Sequence, residues 1–170
     1  MIKINDKEFK PLESGKVKMY VCGPTVYDVA HLGHGRSAVA FDVIRKYLEY
    51  KGFDVTYVSN YTDVDDKMIN RAREEDITVK ELALKIIPEV EKDYLALGIK
   101  KPDIQPRATE YVEAIVDLIK KLEAKGFTYL LDDGVYYDVS KFPEYGNFSG
   151  QTLSDLQAGA RVEVDERKKD

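Results

Sequence analysis

The stretch Met19–Ser37, MYVCGPTVYDVAHLGHGRS, carries the only cysteine of the 170-residue sequence, Cys22, and both of its histidines, His31 and His34. Three soft ligand-type side chains thus sit together beside Gly23, Gly33 and Gly35, and none occurs elsewhere. Two chemistries fit. His31 and His34 are three residues apart, so both imidazoles can project from one face of a first helical turn. There, free N–H groups and the positive end of the helix favour anions by about 0.3–1 kcal/mol each. Two imidazole donors at that place make a cradle for a phosphate developing negative charge. Gly33 and Gly35 keep the backbone open for a flat ring or a phosphate. Alternatively, Cys22, His31 and His34 are zinc-ligand types, and a carboxylate such as Asp28 would complete a tetrahedron. A structural role for the two histidines is the third option.

The surrounding pattern says what holds these residues. Residues 17–26, VKMYVCGPTV, read as a buried strand stopped by Gly-Pro. From Gly33 to Lys51 the period is helical, with Val39, Val43, Ile44, Tyr47 and Leu48 forming an apolar stripe that Phe41 widens. Asp42, Arg45, Lys46 and Glu49 supply the polar side, and Gly52 stands at the C-terminal cap position. Residues 54–62, DVTYVSNYT, alternate as a second strand. Strand, helix, strand is a βαβ unit with parallel strands. Ligands of open parallel sheets bind beyond the carboxyl ends of the strands, where the CGPTVYDVAHLGHG turn lies.

The chain then turns helical. DDKMINRAREE suits a short helix, and TVKELALKIIPEVEKDYLALG opens with a Thr78-x-x-Glu81 capping box. Pro88 predicts a kink there, or two helices meeting. Residues 109–126 form a third helical pattern, with Val112, Ile115, Val116, Ile119 and Leu122 apolar. FTYLL and VYYDV around Asp132-Asp133-Gly134 predict a hairpin whose turn tolerates positive φ.

Composition bounds the function. The chain is 44% hydrophobic and 34% charged, with a net charge of −5, so no global positive field draws nucleic acid. Contacts to RNA would fall to local patches such as Lys100-Lys101. No apolar run nears the ~20 residues that span a bilayer. The first residues lack a secretory h-region, and a lone cysteine suits a reducing compartment. A cytoplasmic protein without membrane contact is expected.

The quoted residues carry a family resemblance. HLGH (residues 31–34) is similar to the HIGH signature of class I aminoacyl-tRNA synthetases. VCGPTVYD before it, TDVDDK after the second strand, and LSDLQAGARV near the C-terminus resemble cysteinyl-tRNA synthetase from about Lys16 to Val164. The resemblance implies an α/β, Rossmann-like class I nucleotide-binding fold. Residues 1–76 would be its first half, 77–160 a connective insertion of helices and a hairpin, and 161–170 a tail. It implies cysteine–tRNA ligase activity: ATP and Mg2+ activate cysteine to cysteinyl-adenylate, and cysteine passes to the terminal adenosine of its tRNA. His31 and His34 would be catalytic and would hold ATP phosphates, with Gly33 under the adenine. Gly23, Thr25, Thr62 and Asp63 would line the cysteine pocket. Cys22 would be the first ligand of a catalytic Zn2+ that binds the substrate thiolate, a discrimination against serine that a cavity alone could not make.

For Asp65 and Asp66, an N-capping cluster that neutralises a helix dipole is the alternative reading. The family's other zinc ligands (a Cys, a His and a Glu) and its KMSKS loop come after the point where this sequence stops. The resemblance therefore implies an N-terminal fragment of a longer synthetase, inactive in aminoacylation by itself. The alternatives are a cysteine ligase acting on an amino sugar in thiol biosynthesis, and a truncated paralogue that binds nucleotide or RNA without catalysis.

Overall fold

The computed structural model describes residues 3–4, 7–147 and 150. The signature LSDLQAGARV and the expected tail at 161–170 lie outside them. The chain divides into two compact units, Met1–Val112 and Glu113–Asp170.

The first unit begins with a short antiparallel pair, β1 (Lys3–Ile4) and β2 (Lys7–Glu8). Next come β3 (Lys16–Val21), α1 (Leu32–Tyr50) and β4 (Asp54–Ser59). β3 and β4 pair in parallel, from Lys16 opposite Asp54 to Val21 opposite Ser59, as a βαβ unit requires. Beyond both strand ends the pairing resumes at Thr25 and Thr62. The other edge of β4 is taken by an extended segment: Ser59 N–H donates to Ile104 O at 3.1 Å, and Tyr61 N–H to Pro106 O at 2.9 Å. Gly52 has φ +88°, the left-handed conformation that ends α1 and turns the chain into β4.

α2 (Asp66–Glu74) is N-capped by Asp65, whose carboxylate accepts from Lys67 N–H at 2.8 Å. α3 (Val79–Ala96) carries the expected capping box, Thr78 with Glu81. It runs as one helix through Pro88, so two helices meeting there is not the arrangement adopted. Leu82, Ile86, Ile87 and Val90 of α3 bury against Met68 and Ala72 of α2, and against Val26 and Tyr61 from the two strand-end turns. This packing places α2 and α3 in one compact unit with the βαβ segment. α2 and α3 roof the ends of the strands, so they cannot be separated from the βαβ unit without opening its core.

α1 departs from its expected orientation. Leu48 is buried with Val17 and Val55, but Val39, Val43, Ile44 and Tyr47 are exposed, while Asp42 and Arg45 are only 6% and 1% exposed. The physical reason is the segment after α3. Arg45 Nη1 donates to Lys101 O (2.8 Å) and Nη2 to Asp103 Oδ1 (2.7 Å). Asp42 Oδ1 accepts from Lys100 N–H at 3.0 Å. The polar side of the helix is spent on binding chain, and the apolar stripe is left outward.

In the second unit, α4 (Val112–Ala124, its first residue shared with the first unit) precedes β5 (Thr128–Leu131) and β6 (Gly134–Tyr137), an antiparallel hairpin. The cross-strand pair Tyr129–Tyr136 stacks at 5.7 Å, and Phe127, just before β5, stacks on Tyr137 at 6.0 Å. Asp132 and Asp133 join the strands with neither at positive φ, so the mirror-image turn expected from their types is not used. Among the described residues, no helix is long and apolar enough to cross a membrane.

Candidate functional site

Two turns build the site. The first leaves β3 through Cys22, Gly23, Pro24 and Thr25, and the second leaves β4 through Asn60, Tyr61 and Thr62. They are bonded to each other: Thr62 N–H donates to Pro24 O at 3.1 Å and Val26 N–H to Thr62 O at 3.2 Å. Gly23 is required by a close approach. A Cβ there would lie 1.6 Å from the Asn60 carbonyl oxygen. Gly23 N–H also donates to Asn60 Oδ1 at 3.0 Å. Cys22 is exposed, and its thiol donates to the Tyr20 hydroxyl at 3.8 Å.

His31 is the N-cap of α1, which starts at Leu32, one position before the Gly33 expected from the sequence. Its Nδ1 accepts from Gly33 N–H at 3.1 Å, and His34 Nδ1 accepts from His31 N–H at 3.3 Å. The two rings stack at 3.8 Å with an interplanar angle of 17°. This reciprocal cap has a chemical consequence. An Nδ1 that accepts carries no proton, so each neutral ring bears its proton on Nε2, as a donor free of the helix. Burial, and after it the neighbouring His31, holds His34 below the ordinary imidazole range, favouring that neutral form. Gly33 serves the same device, because a Cβ would sit 2.9 Å from the His31 ring.

The histidine pair separates two spaces. A cavity of about 280 Å³ is lined by Cys22, Gly23, Thr25 and His34 on one side and by Tyr57, Ser59, Tyr94, Lys100 and Gln105 on the other. That is near the lower end of the range for ligand sites and suits a small polar molecule. A wider groove of about 610 Å³ is lined by His31, Leu32, Gly35, Arg36, Tyr94 and Leu97, among others. Burial raises the phenol pKa of both Tyr57 and Tyr94, so both remain protonated donors.

The structure thus gathers Cys22, Gly23, Thr25 and His34 around one cavity and puts His31 on its rim, facing the groove. Thr62 pairs behind Thr25 rather than lining that cavity. Asp63 is elsewhere: its carboxylate is 4% exposed and fully engaged by Thr109, accepting from N–H at 3.0 Å and from Oγ1 at 2.6 Å. No cluster of three or more His, Cys, Asp and Glu able to hold a metal occurs among the described residues. Asp28 caps its own turn at Val29 N–H, and both Nδ1 atoms of the histidines are committed to α1. Among the described residues Cys22 is thus a single thiol, which does not by itself fit a tetrahedral zinc site.

Sequence reasoning missed Asn60, Tyr94, Lys100 and Gln105. Asn60 and Tyr94 gave no local signal. For Lys100 and Gln105 a signal existed: Pro102 and Pro106, four apart, forbid helix and favour the extended edge segment that carries both side chains to the cavity.

The family described as "tRNA synthetases class I (C) catalytic domain" matches residues 8–170. The chain belongs to this family. Among curated relatives, a cysteine–tRNA ligase of Pyrococcus furiosus is 56% identical over 163 residues, 96% of this chain and 34% of that protein. One from Clostridioides difficile is 53% identical over 163 residues, 96% of this chain and 35% of that protein. The chain therefore spans about a third of the length of these relatives. In fold it is similar to Mycobacterium tuberculosis methionyl-tRNA synthetase in complex with methionyl-adenylate, at TM-score 0.62 and 21% identity over 67% of this chain and 23% of that one. It is also similar to an Agrobacterium radiobacter LeuRS in a ternary complex with tRNA and LeuAMS, at TM-score 0.60 and 22% identity over 71% of this chain and 16% of that one. The α/β arrangement is the Rossmann-like nucleotide-binding fold of class I synthetases, as the sequence suggested.

Proposed function

We propose that the native protein is a cysteine–tRNA ligase, and that the chain described here supplies its amino-acid cavity and phosphate cradle. Cysteine would occupy the cavity bounded by Cys22, Gly23 and Thr25. ATP, with its Mg2+, would lie along the groove beside Leu32 and Gly35, and its α-phosphate would meet the carboxylate of cysteine at the ridge between the two spaces. The observation that carries this reading is the stacked His31–His34 pair, which borders both spaces while its capping bonds leave two Nε2–H donors free. In-line attack by a carboxylate oxygen on the α-phosphorus spreads negative charge over the phosphate oxygens, and fixed donors lower the energy of that state more than that of the ground state. Pyrophosphate leaves, and the adenylate then acylates a hydroxyl of the terminal adenosine of tRNA with release of AMP.

The test is cysteine-dependent exchange of pyrophosphate into ATP by the full-length native protein, followed by acylation of tRNA. Exchange is expected with cysteine and not with serine. His34→Ala is expected to lower kcat about 100- to 1,000-fold, the cost of losing one donor to a developing oxyanion, with a smaller effect on KM. Transfer to an amino sugar instead of tRNA would move the protein to the other class of cysteine ligase. Absence of cysteine-dependent exchange would refute both.

A further inference from the structure

We propose that Tyr94 is a further substrate-binding residue, the wall that the amino-acid cavity and the nucleotide groove have in common. The inference rests on the cysteine and ATP reading above and concerns a residue that neither the motif nor the periodicity singles out.

Its place among the cavities is what distinguishes it. Of the residues lining the cavity of about 280 Å³ and the groove of about 610 Å³, Tyr94 alone belongs to both. The histidines divide that task, His34 bordering the cavity and His31 the groove. Tyr94 also lines a third space of about 360 Å³, together with Pro88, Leu95, Ile99 and Pro102. A residue that borders three voids stands where they meet, and at this meeting point the amino acid and the α-phosphate of ATP come together in the proposed reaction.

The position of Tyr94 is fixed from behind. It lies in the last turn of α3, half-buried against the core that α2 and α3 share. Its carbonyl accepts from Ile99 N–H at 3.0 Å, a closure that Gly98 permits at φ +71°. The Gly98 carbonyl in turn accepts from Lys46 Nζ of α1 at 3.0 Å. Three residues past Tyr94, Leu97 packs on the start of α1, where a Cβ at Gly35 would lie 3.1 Å from Leu97 Cδ1. The end of α3 is thereby held in register with the helix start that carries His31 and His34. Burial also keeps the phenol protonated, so the wall bears no charge to repel a carboxylate or a phosphate. Two ligands resting on one rigid wall lose freedom relative to each other, which is what an in-line encounter requires.

Exchange assays on the full-length protein test this through the pattern of KM values. Tyr94→Ala is expected to raise the KM for cysteine and the KM for ATP, each about 3- to 10-fold, the loss of one aromatic contact on either side. Two neighbours serve as contrasts. Leu97 lines the groove but not the cavity, and Ile99 lines the cavity but not the groove. Leu97→Ala is therefore expected to move the KM for ATP alone, and Ile99→Ala that for cysteine alone. Tyr94→Phe keeps the ring and is expected to leave both near their parental values. A purely structural residue would instead lower the unfolding temperature and the fraction of active enzyme, with both KM values parental. That result overturns the proposal, as does a change in only one KM with Tyr94→Ala. Loss in Tyr94→Phe equal to that in Tyr94→Ala overturns it too, because the effect would then belong to the hydroxyl. Should Tyr94→Ala not fold by circular dichroism, Tyr94→Leu takes its place and is judged by the same two KM values. A parent without cysteine-dependent exchange would sink the functional reading itself, and this inference with it. An active parent whose variants keep parental KM values would sink only the role of Tyr94.

Discussion

Arg45→Met tests the inverted orientation of α1. The guanidinium is 1% exposed and makes three bonds: to Asp103 Oδ1 at 2.7 Å, to Lys101 O at 2.8 Å and to Glu49 Oε1 at 3.1 Å. It also lies 5.3 Å from the centre of the Tyr57 ring. Methionine fills the volume of the stem and deletes every polar contact. Breaking a buried ion pair costs about 3–5 kcal/mol when the remaining charge stays buried. Here the abandoned partners recover water, because the side chains of Asp103 and Glu49 are 41% and 30% accessible. The expected loss is therefore lower, about 2–4 kcal/mol, part of it from the orphaned Lys101 carbonyl. For a unit of this size that corresponds to roughly 8–20 °C in Tm, read by circular dichroism. Asp103→Asn, measured alone and with Arg45→Met, gives the coupling, expected at about 1–2 kcal/mol. The cavity is expected to respond too, because Arg45 anchors the segment that brings Lys100 and Gln105 to its far wall. A Tm change under about 2 °C, or strict additivity of the two substitutions, would refute the claim that the polar face of α1 is its bonded face.

Gly23→Ala is expected to be among the most damaging small substitutions in the chain. A Cβ 1.6 Å from the Asn60 carbonyl oxygen forces the two turns apart, at a cost of about 1–3 kcal/mol or more by overpacking, visible as lower Tm and loss of cysteine-dependent exchange. The His31–His34 cap predicts a pH dependence. The His34 pKa is lowered on folding, so the neutral ring is the folded form. Its contribution is whole above the ordinary imidazole value of about 6.5 and fades as pH falls through the lower folded value. Tm measured from pH 7.5 down to 5 is expected to fall more steeply in the parent than in His34→Gln, and equal slopes would remove the cap from the account.

What the sequence revealed, and what it withheld, follows from the range of the interactions. The βαβ unit, the helix caps at Thr78 and Asp65, and the clustering of Cys22, His31 and His34 are set by residues close in sequence, and all were legible. The outward face of α1 was not. Period counting assumes that the core lies under the apolar stripe, but Arg45 and Asp42 are buried by partners more than fifty residues away, Lys100 to Asp103. Asp63 shows the same blindness from the other side. Its position after a strand suggests a pocket residue, and only the fold reveals that Thr109 takes both of its oxygens.

The division has a consequence for how the site works. The groups able to do chemistry, the imidazoles and the thiol, come from one contiguous stretch. Their spacing is set by a helix start and a strand end, so it is locally encoded. The groups that fix the shape of the cavity come from elsewhere: Asn60 grips the near lip, and Arg45, through the 100–105 segment, holds the far wall. On the proposed function, chemistry and selectivity fall to separable residues. Substitutions at His34 should act on kcat across amino acids alike, whereas those at Asn60 or Arg45 should change which amino acid is accepted, or how tightly, before they change how fast the bound one reacts.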